Sequence, residues 1–376
     1  MGLTAAFSIR RSSRALRTAS LALVLVLATS PSSAEEPDGF GWHDIAGFAL
    51  EGQGWRAEDL ASRYDRFPAK AESIVREAVW NLSRQSAGIH FRFVTDATEI
   101  HLHQVLASER LALAHMPATG VSGVDLYALD SDGVWKWVEV SRPSSVETVH
   151  KVAGLDPGRR TYALYLPLYN RVETLRVGVP EGAEFLPVAP RTGKPVVFYG
   201  TSITHGASAS RPGMAHPAIL GRRLDRPVIN LGFSGNGRME PEVGALLAEI
   251  DAAVYVIDCL PNMDPAAVAE RAEPLVRQLR DARPDTPIVL VEDRSFTNSW
   301  IFRSKRERHA GNRAALIRAF DNLVSSGVKG LHYLHGEDLL GDDTEATADG
   351  SHPSDLGFMR QADAFEPVLR QALGLD

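Results

Sequence analysis

Ser202 lies between two glycines in Tyr199-Gly200-Thr201-Ser202-Ile203-Thr204-His205-Gly206, directly after an apolar run. Flanking glycines permit a sharp turn. A serine held there presents its hydroxyl and its own N–H in one direction, the arrangement of a nucleophile; taken alone it suits a helix cap equally well. The segment is not a Gly-x-Ser-x-Gly elbow, because residue 204 is threonine. Asp349 and His352 stand three residues apart in Asp349-Gly350-Ser351-His352-Pro353. At that spacing a carboxylate reaches imidazole Nδ1, sets the tautomer and leaves Nε2 to accept a proton. A surface pair at a helix start has the same spacing. Two further segments offer donors. Asn230-Leu231-Gly232-Phe233-Ser234-Gly235-Asn236-Gly237 is rich in glycine, so its N–H groups can approach a ligand, as in any tight turn. The order Gly-x-Gly-x-x-Gly of dinucleotide sites is absent from it. In Asp258-Cys259-Leu260-Pro261-Asn262-Met263 the Asn262 amide can donate to a developing oxyanion or cap a helix.

Each segment follows a short apolar run, and those runs define the elements that must position them. From residue 190 onward, strands are expected at 196–199, 228–231, 253–258, 288–291 and 331–334. Helices are expected at 213–223, 241–249, 264–282, 305–325 and 355–373, with Asp264-Pro265 as a cap and first-turn proline. Pro274 and Pro367 should kink or restart their helices. This rhythm describes a three-layer α/β fold whose reactive groups gather at the carboxyl ends of parallel strands. Earlier in the chain the period is two. Strands are expected at 89–94, 99–104, 124–129, 134–140, 162–168 and 172–179, in an antiparallel sandwich or jelly roll. The segment 69–84 fits either helix or strand, and the proline-rich 180–195 reads as a connection.

In this order, on this pattern, the four segments resemble the SGNH (GDSL-type) hydrolase family over about 190–376. The resemblance implies a flavodoxin-like α/β/α domain with a five-stranded parallel sheet. It implies Ser202 as nucleophile, His352 as base, Asp349 as its partner, and an oxyanion hole from Ser202, Gly235 and Asn262. Gly235 is preferred to Gly232 on the Ser-Gly alignment. Two departures stand out: Gly-Thr-Ser replaces Gly-Asp-Ser at 200–202, and Leu-Pro-Asn-Met replaces Gly-x-Asn-Asp at 260–263. Gly123-Val124-Asp125-Leu126-Tyr127 is similar to the Gly-x-Asp-Leu-Tyr motif of a domain that precedes SGNH esterases. Read from the residues, it is a strand start with Leu126 inward and Asp125 free to fix a turn. The expected division is a signal peptide over 1–34, a β-sandwich domain over 35–186 and a catalytic domain over 190–376. The implied function is an exported serine esterase removing short acyl groups, above all acetyl, from a small-molecule or glycan ester. The alternatives are an acyltransferase, lipase or thioesterase with the same triad, or a non-catalytic carbohydrate-binding protein.

Residues outside the four segments offer weaker candidates. Thr201 and His205 flank the serine, and Asp293 ends the fourth strand; all three are candidate substrate-binding residues, although a carboxylate at 292 or 293 is expected chiefly to pair with Arg294 or a helix end. The segment 295–308, with Phe296, Trp300 and Phe302, can be a lid or a plain loop. His101 and His103 share one strand face and are expected to face solvent. No metal and no cofactor is expected. Cys259 is the single cysteine, which excludes an intrachain disulfide. A basic region (Arg10, Arg11, Arg14, Arg17), the apolar run 21–28 and small residues at 32–34 make a signal-peptide pattern. Its removal leaves 36 basic against 47 acidic residues, moving the charge from −7 to −11. Nucleic acid is therefore not an expected partner, nor is stable membrane insertion after signal cleavage. The oligomeric state is left open.

Overall fold

The computed structural model describes Gly2 and residues 34–337 and 339–375. The expected signal segment lies, but for Gly2 and Ala34, outside the described residues. The strands of the first half are β1 (Phe40–Asp44), β2 (His90–Thr95), β3 (Glu99–Leu106), β4 (Asp125–Leu129), β5 (Trp135–Val140), β6 (Glu147–Ala153), β7 (Arg160–Tyr165), β8 (Val172–Pro180) and β9 (Phe185–Pro187). Two short helices interrupt them, α1 (Glu77–Ser83) and the single turn α2 (Ala118–Val121). The strands pair antiparallel in two sheets, ordered β1-β8-β3-β6 and β5-β4-β7-β2-β9. Inward residues Phe91, Phe93, Ile100, Leu102, Leu126, Leu164 and Val177 are buried in one cluster, the core expected of facing sheets.

Three strands were not expected from the pattern. β1 carries no strict alternation. β6, Glu-Thr-Val-His-Lys-Val-Ala, is a largely polar edge strand of the first sheet. β9 lies inside the proline-rich connection and pairs only with β2 at the edge of the second, where proline costs no ladder bond. The ambiguous segment 69–84 becomes a 3-10 turn at Ala69–Ser73 followed by α1.

The second half follows the expected rhythm: β10 (Val196–Gly200), α3 (Ser202–His205), α4 (His216–Arg223), β11 (Val228–Gly232), α5 (Pro241–Glu249), β12 (Val254–Asp258), α6 (Pro265–Ala282), β13 (Ile288–Val291), α7 (Arg303–Ser325), β14 (Leu331–Leu334) and α8 (Asp355–Leu373). The strands form a parallel sheet ordered β11-β10-β12-β13-β14. Helices cover both faces, so the central strands are buried along their length and mainly apolar, with Asp258 at the end of β12 the exception, whereas the edge strand β14 is half-buried. Asp264 accepts from the Ala267 N–H at 2.9 Å and starts α6 beside Pro265. Pro274 and Pro367 do not restart their helices. Both lie on the exposed helix face, where water can take the carbonyl each leaves free.

The two halves share a core. Phe67, Ala71, Val75, Val79 and Trp80 are buried in one cluster with Leu231, Phe233, Val243 and Leu247 of the α/β layer. The segment 67–80 therefore packs with the α/β layer, although it precedes most of the sandwich.

Candidate active site

The carboxyl ends of β10, β11 and β12 lie side by side, with Gly200 opposite both Gly232 and Asp258. The loops that leave them carry Ser202, Gly235 and Asn262. Ser202 is the first residue of α3, whose cap Thr201 accepts from the Ile203 N–H and whose end is Gly206 in the left-handed region at φ 111°. Ser202 is 6% exposed.

From the loop before α8, His352 meets this serine. Its Nε2 lies 2.9 Å from Ser202 Oγ, and its Nδ1 lies 2.7 Å from Asp349 Oδ2. The other carboxylate oxygen of Asp349 accepts from the N–H groups of Ser351 and His352, at 2.9 and 2.8 Å. Partial burial pushes the Asp349 carboxyl up, but the hydrogen bonds from His352 and Ser351 outweigh it and hold the group at about 2. A fixed carboxylate at Nδ1 puts the donor hydrogen there and leaves Nε2 as an acceptor facing the hydroxyl.

Three donors stand free at the same edge. Neither the N–H of Ser202, the N–H of Gly235 nor the side-chain amide of Asn262 finds an acceptor among the described residues. Gly232 is different. Its N–H donates to Asn230 Oδ1 at 2.9 Å, and an added Cβ would lie 2.2 Å from His205 N. Gly235 is at φ 71° with open space where a Cβ would be. The choice of 235 over 232 is thus also the one the hydrogen bonding favours.

The candidate substrate-binding residues do not line the opening. Thr201, His205 and Asp293 are all fully buried. His205 Nε2 donates to the Leu168 carbonyl at 2.7 Å, and its ring stacks on Tyr169 at 4.2 Å. Burial first, and then the Arg66 charge, hold its pKa well below the ordinary value. Asp293 is paired not with Arg294 but with Arg308 at 2.7 Å and His309 at 3.3 Å. Arg308 in turn donates to the Pro261 carbonyl at 2.8 Å and the Met263 carbonyl at 3.2 Å, and Asn312 donates to the same loop. Asp293 thus bears, through Arg308, on the loop that carries Asn262. Arg294 instead clasps Asp258 at 2.9 Å, both fully buried, while Thr204 donates to that carboxylate at 3.0 Å. His101 and His103 do not face solvent: Glu99 holds the first at 2.6 Å, and Glu36 and Glu147 hold the second at 2.6 and 3.0 Å.

Several residues near the site carry no sequence signal. Arg66, buried without a carboxylate, donates to the Asn230 and Gly232 carbonyls at 3.0 and 2.8 Å and so ties the second loop to the segment before α1. Tyr169 donates to the Ser202 carbonyl at 3.4 Å. His115 stacks on His352 with ring centroids 5.4 Å apart. The Gly-x-Asp-Leu-Tyr segment also does more than fix a turn. Buried Asp125 accepts from the Gly213 N–H at 2.8 Å, from Arg211 at 3.0 Å and from the Trp137 indole at 2.9 Å, and Tyr127 bonds the same Arg211. It fastens the second sheet of the sandwich to the segment before α4.

A serine, an imidazole and a carboxylate thus lie in one hydrogen-bonded line, with three donors near it that are unpaired among the described residues. Residues 193–370 match the GDSL-like lipase/acylhydrolase family, and residues 40–185 match the GxDLY domain, the N-terminus of SGNH-hydrolase-type esterases. A GDSL-like lipase-family protein from Bacteroides ovatus is 32% identical with a TM-score of 0.84, over 89% of this chain and 98% of that one. The chain belongs to the GDSL-like (SGNH) hydrolase family and is a hydrolase of that class. At lower identity the fold is shared with a salicylyl-acyltransferase from a tetracycline biosynthetic pathway (18%, TM-score 0.70, 90% of this chain and 99% of that one). It is shared too with an acetyl xylan esterase from Butyrivibrio proteoclasticus (13%, TM-score 0.55, 89% and 100%). No curated protein sequence matches. Among the described residues, no helix is long and apolar enough to cross a membrane.

Proposed function

We propose that the protein is an exported serine esterase that hydrolyses short-acyl esters, foremost acetyl esters on carbohydrate, with Ser202, His352 and Asp349 as triad. The observation that carries this reading is the unbroken line from Asp349 through His352 to Ser202 Oγ, at 2.7 and 2.9 Å. A serine hydroxyl is a weak nucleophile until a base lies within hydrogen-bond reach. His352 takes the Ser202 proton as Oγ adds to the ester carbonyl. The oxyanion meets the N–H groups of Ser202 and Gly235 and the amide of Asn262. His352 then returns the proton to the departing alcohol, and water repeats the sequence on the acyl-enzyme. The acetyl and glycan parts of the reading rest on the shared fold of the acetyl xylan esterase and on the export pattern over 1–34. The division into a sandwich over 35–186 and a catalytic domain over 190–376 belongs to the same proposal.

Acyl transfer to an alcohol is the second reading, favoured by the greater fold similarity to the salicylyl-acyltransferase. Turnover of 4-nitrophenyl acetate and acetate release from acetylated xylan, with and without an acceptor alcohol, test both. Hydrolysis by the wild type and its loss in Ser202→Ala are expected. Ester product in place of free acid would favour transfer; undiminished turnover by the variant would refute the triad.

A further inference from the structure

A cleft of about 810 Å³ opens beside the nucleophile, and the first half of the chain builds most of it. It reaches Ser234, next to Gly235, and Tyr169, which bonds the Ser202 carbonyl. Its wall includes His115, stacked on His352. Although acidic residues outnumber basic ones 47 to 40 in the chain, no aspartate or glutamate lines this cleft among the described residues, while Arg84, Arg110 and Arg171 do. Asp65 holds Arg84 at 2.7 Å, and Glu173 holds Arg171. Arg110 is exposed and has no carboxylate partner among the described residues. Burial first, then the charge of His352, set against that of Asp349, and last the charge of Arg110, keep the His115 pKa below its ordinary value.

We propose that this cleft binds an anionic group, a carboxylate, on the alcohol portion of the ester, with Arg110 as its principal ligand. The side follows from the chemistry. His352 must return a proton to the departing oxygen, so the alcohol lies against His352; His115 stacks on that imidazole and shares the cleft wall with Arg110. An acidic saccharide and a small hydroxy acid both present such a group. The inference rests on the ester-hydrolase reading above and narrows its substrate class.

Two substrate pairs test it. In 4-acetoxybenzoate against methyl 4-acetoxybenzoate the charge is on the alcohol. In 4-nitrophenyl hydrogen succinate against 4-nitrophenyl acetate it is on the acyl group. The reading is the ratio of kcat/KM, anionic over neutral, in each pair, so that intrinsic reactivity cancels between enzyme variants. Arg110→Gln should lower the ratio of the alcohol pair about tenfold, as expected for a lost charge-assisted hydrogen bond. Arg110→Glu should lower it further, and the succinate pair should keep its ratio. An alcohol-pair ratio within about twofold of wild type in Arg110→Glu, below even a weak exposed charge pair, would overturn the proposal. A fall confined to the succinate pair would overturn it as well, moving the anion to the acyl side. If instead the wild type cleaved none of the four esters, or Ser202→Ala cleaved them equally fast, the hydrolase reading itself would fall and this inference with it.

Discussion

At the scale of single residues, the site is a division of labour between one charge and several dipoles. Asp349 keeps its charge because three donors face it, two of them backbone N–H groups of its own loop. Its carboxyl, ordinarily near 3.8, is held at about 2 in the folded chain, so its contribution to stability is complete above pH 3.8 and is lost as the pH falls through 2. Thermal unfolding followed between pH 4 and pH 2 should show that loss in the wild type and not in Asp349→Asn. The side chain is 44% exposed, so the difference should be about 1 kcal/mol or less. Asn262→Ala removes one of the proposed oxyanion donors. It should lower kcat by about 10²–10³ with little change in KM, measured on an activated acetyl ester. Ser202 and Asn262 stand out in the sequence because each follows an apolar run closely, and Asp349 and His352 because of their three-residue spacing. His115, Tyr169 and Arg66 do not, since nothing local in their neighbourhoods distinguishes them from packing residues.

At the scale of elements, the loop that carries Asn262 is held by side chains of a later helix. The carbonyls of the 260–263 loop accept from Arg308 and Asn312 of α7, and Asp293 at the end of β13 fixes Arg308. Arg308→Met should therefore resemble a weak Asn262 variant: kcat down about tenfold, KM nearly unchanged, with partial recovery in Arg308→Lys. A purely structural role would lower the melting temperature and leave kcat of the folded protein intact. The β11 end has its own constraint. Gly232→Ala would force a Cβ to within 2.2 Å of a backbone nitrogen of α3, and it should destabilise the chain by about 1–3 kcal/mol in urea unfolding. The parallel strands and their helices were readable because buried strands flanked by amphipathic helices have a strong pattern. β6 and β9 were missed for a physical reason: edge strands need neither apolar faces nor a complete ladder.

At the scale of the whole molecule, the first half of the chain and the α/β layer are packed into one another. Phe67 and Trp80 fill the α/β core from the far side of the sequence, and Arg66 reaches 164 and 166 residues along the chain to the carbonyls before the 233–237 loop. The expected boundary at 186–190 matches the change of pattern but not the boundary of packing, because period and composition carry no record of contacts so distant. A fragment beginning at residue 190 should therefore lack near-ultraviolet circular dichroism and a cooperative melt. Asp125→Ala should have a related, milder effect in the intact chain. It leaves Arg211 partly buried and unpaired and should cost about 3–5 kcal/mol in urea unfolding.

The central claim is that folding makes Ser202 nucleophilic through His352. The most direct measurement is organophosphate labelling of the full chain, read by mass spectrometry of its peptides. A single adduct on Ser202, formed rapidly in the wild type and abolished in His352→Ala, is the predicted result. An unlabelled Ser202 in folded protein that still turns over acetyl esters would contradict it.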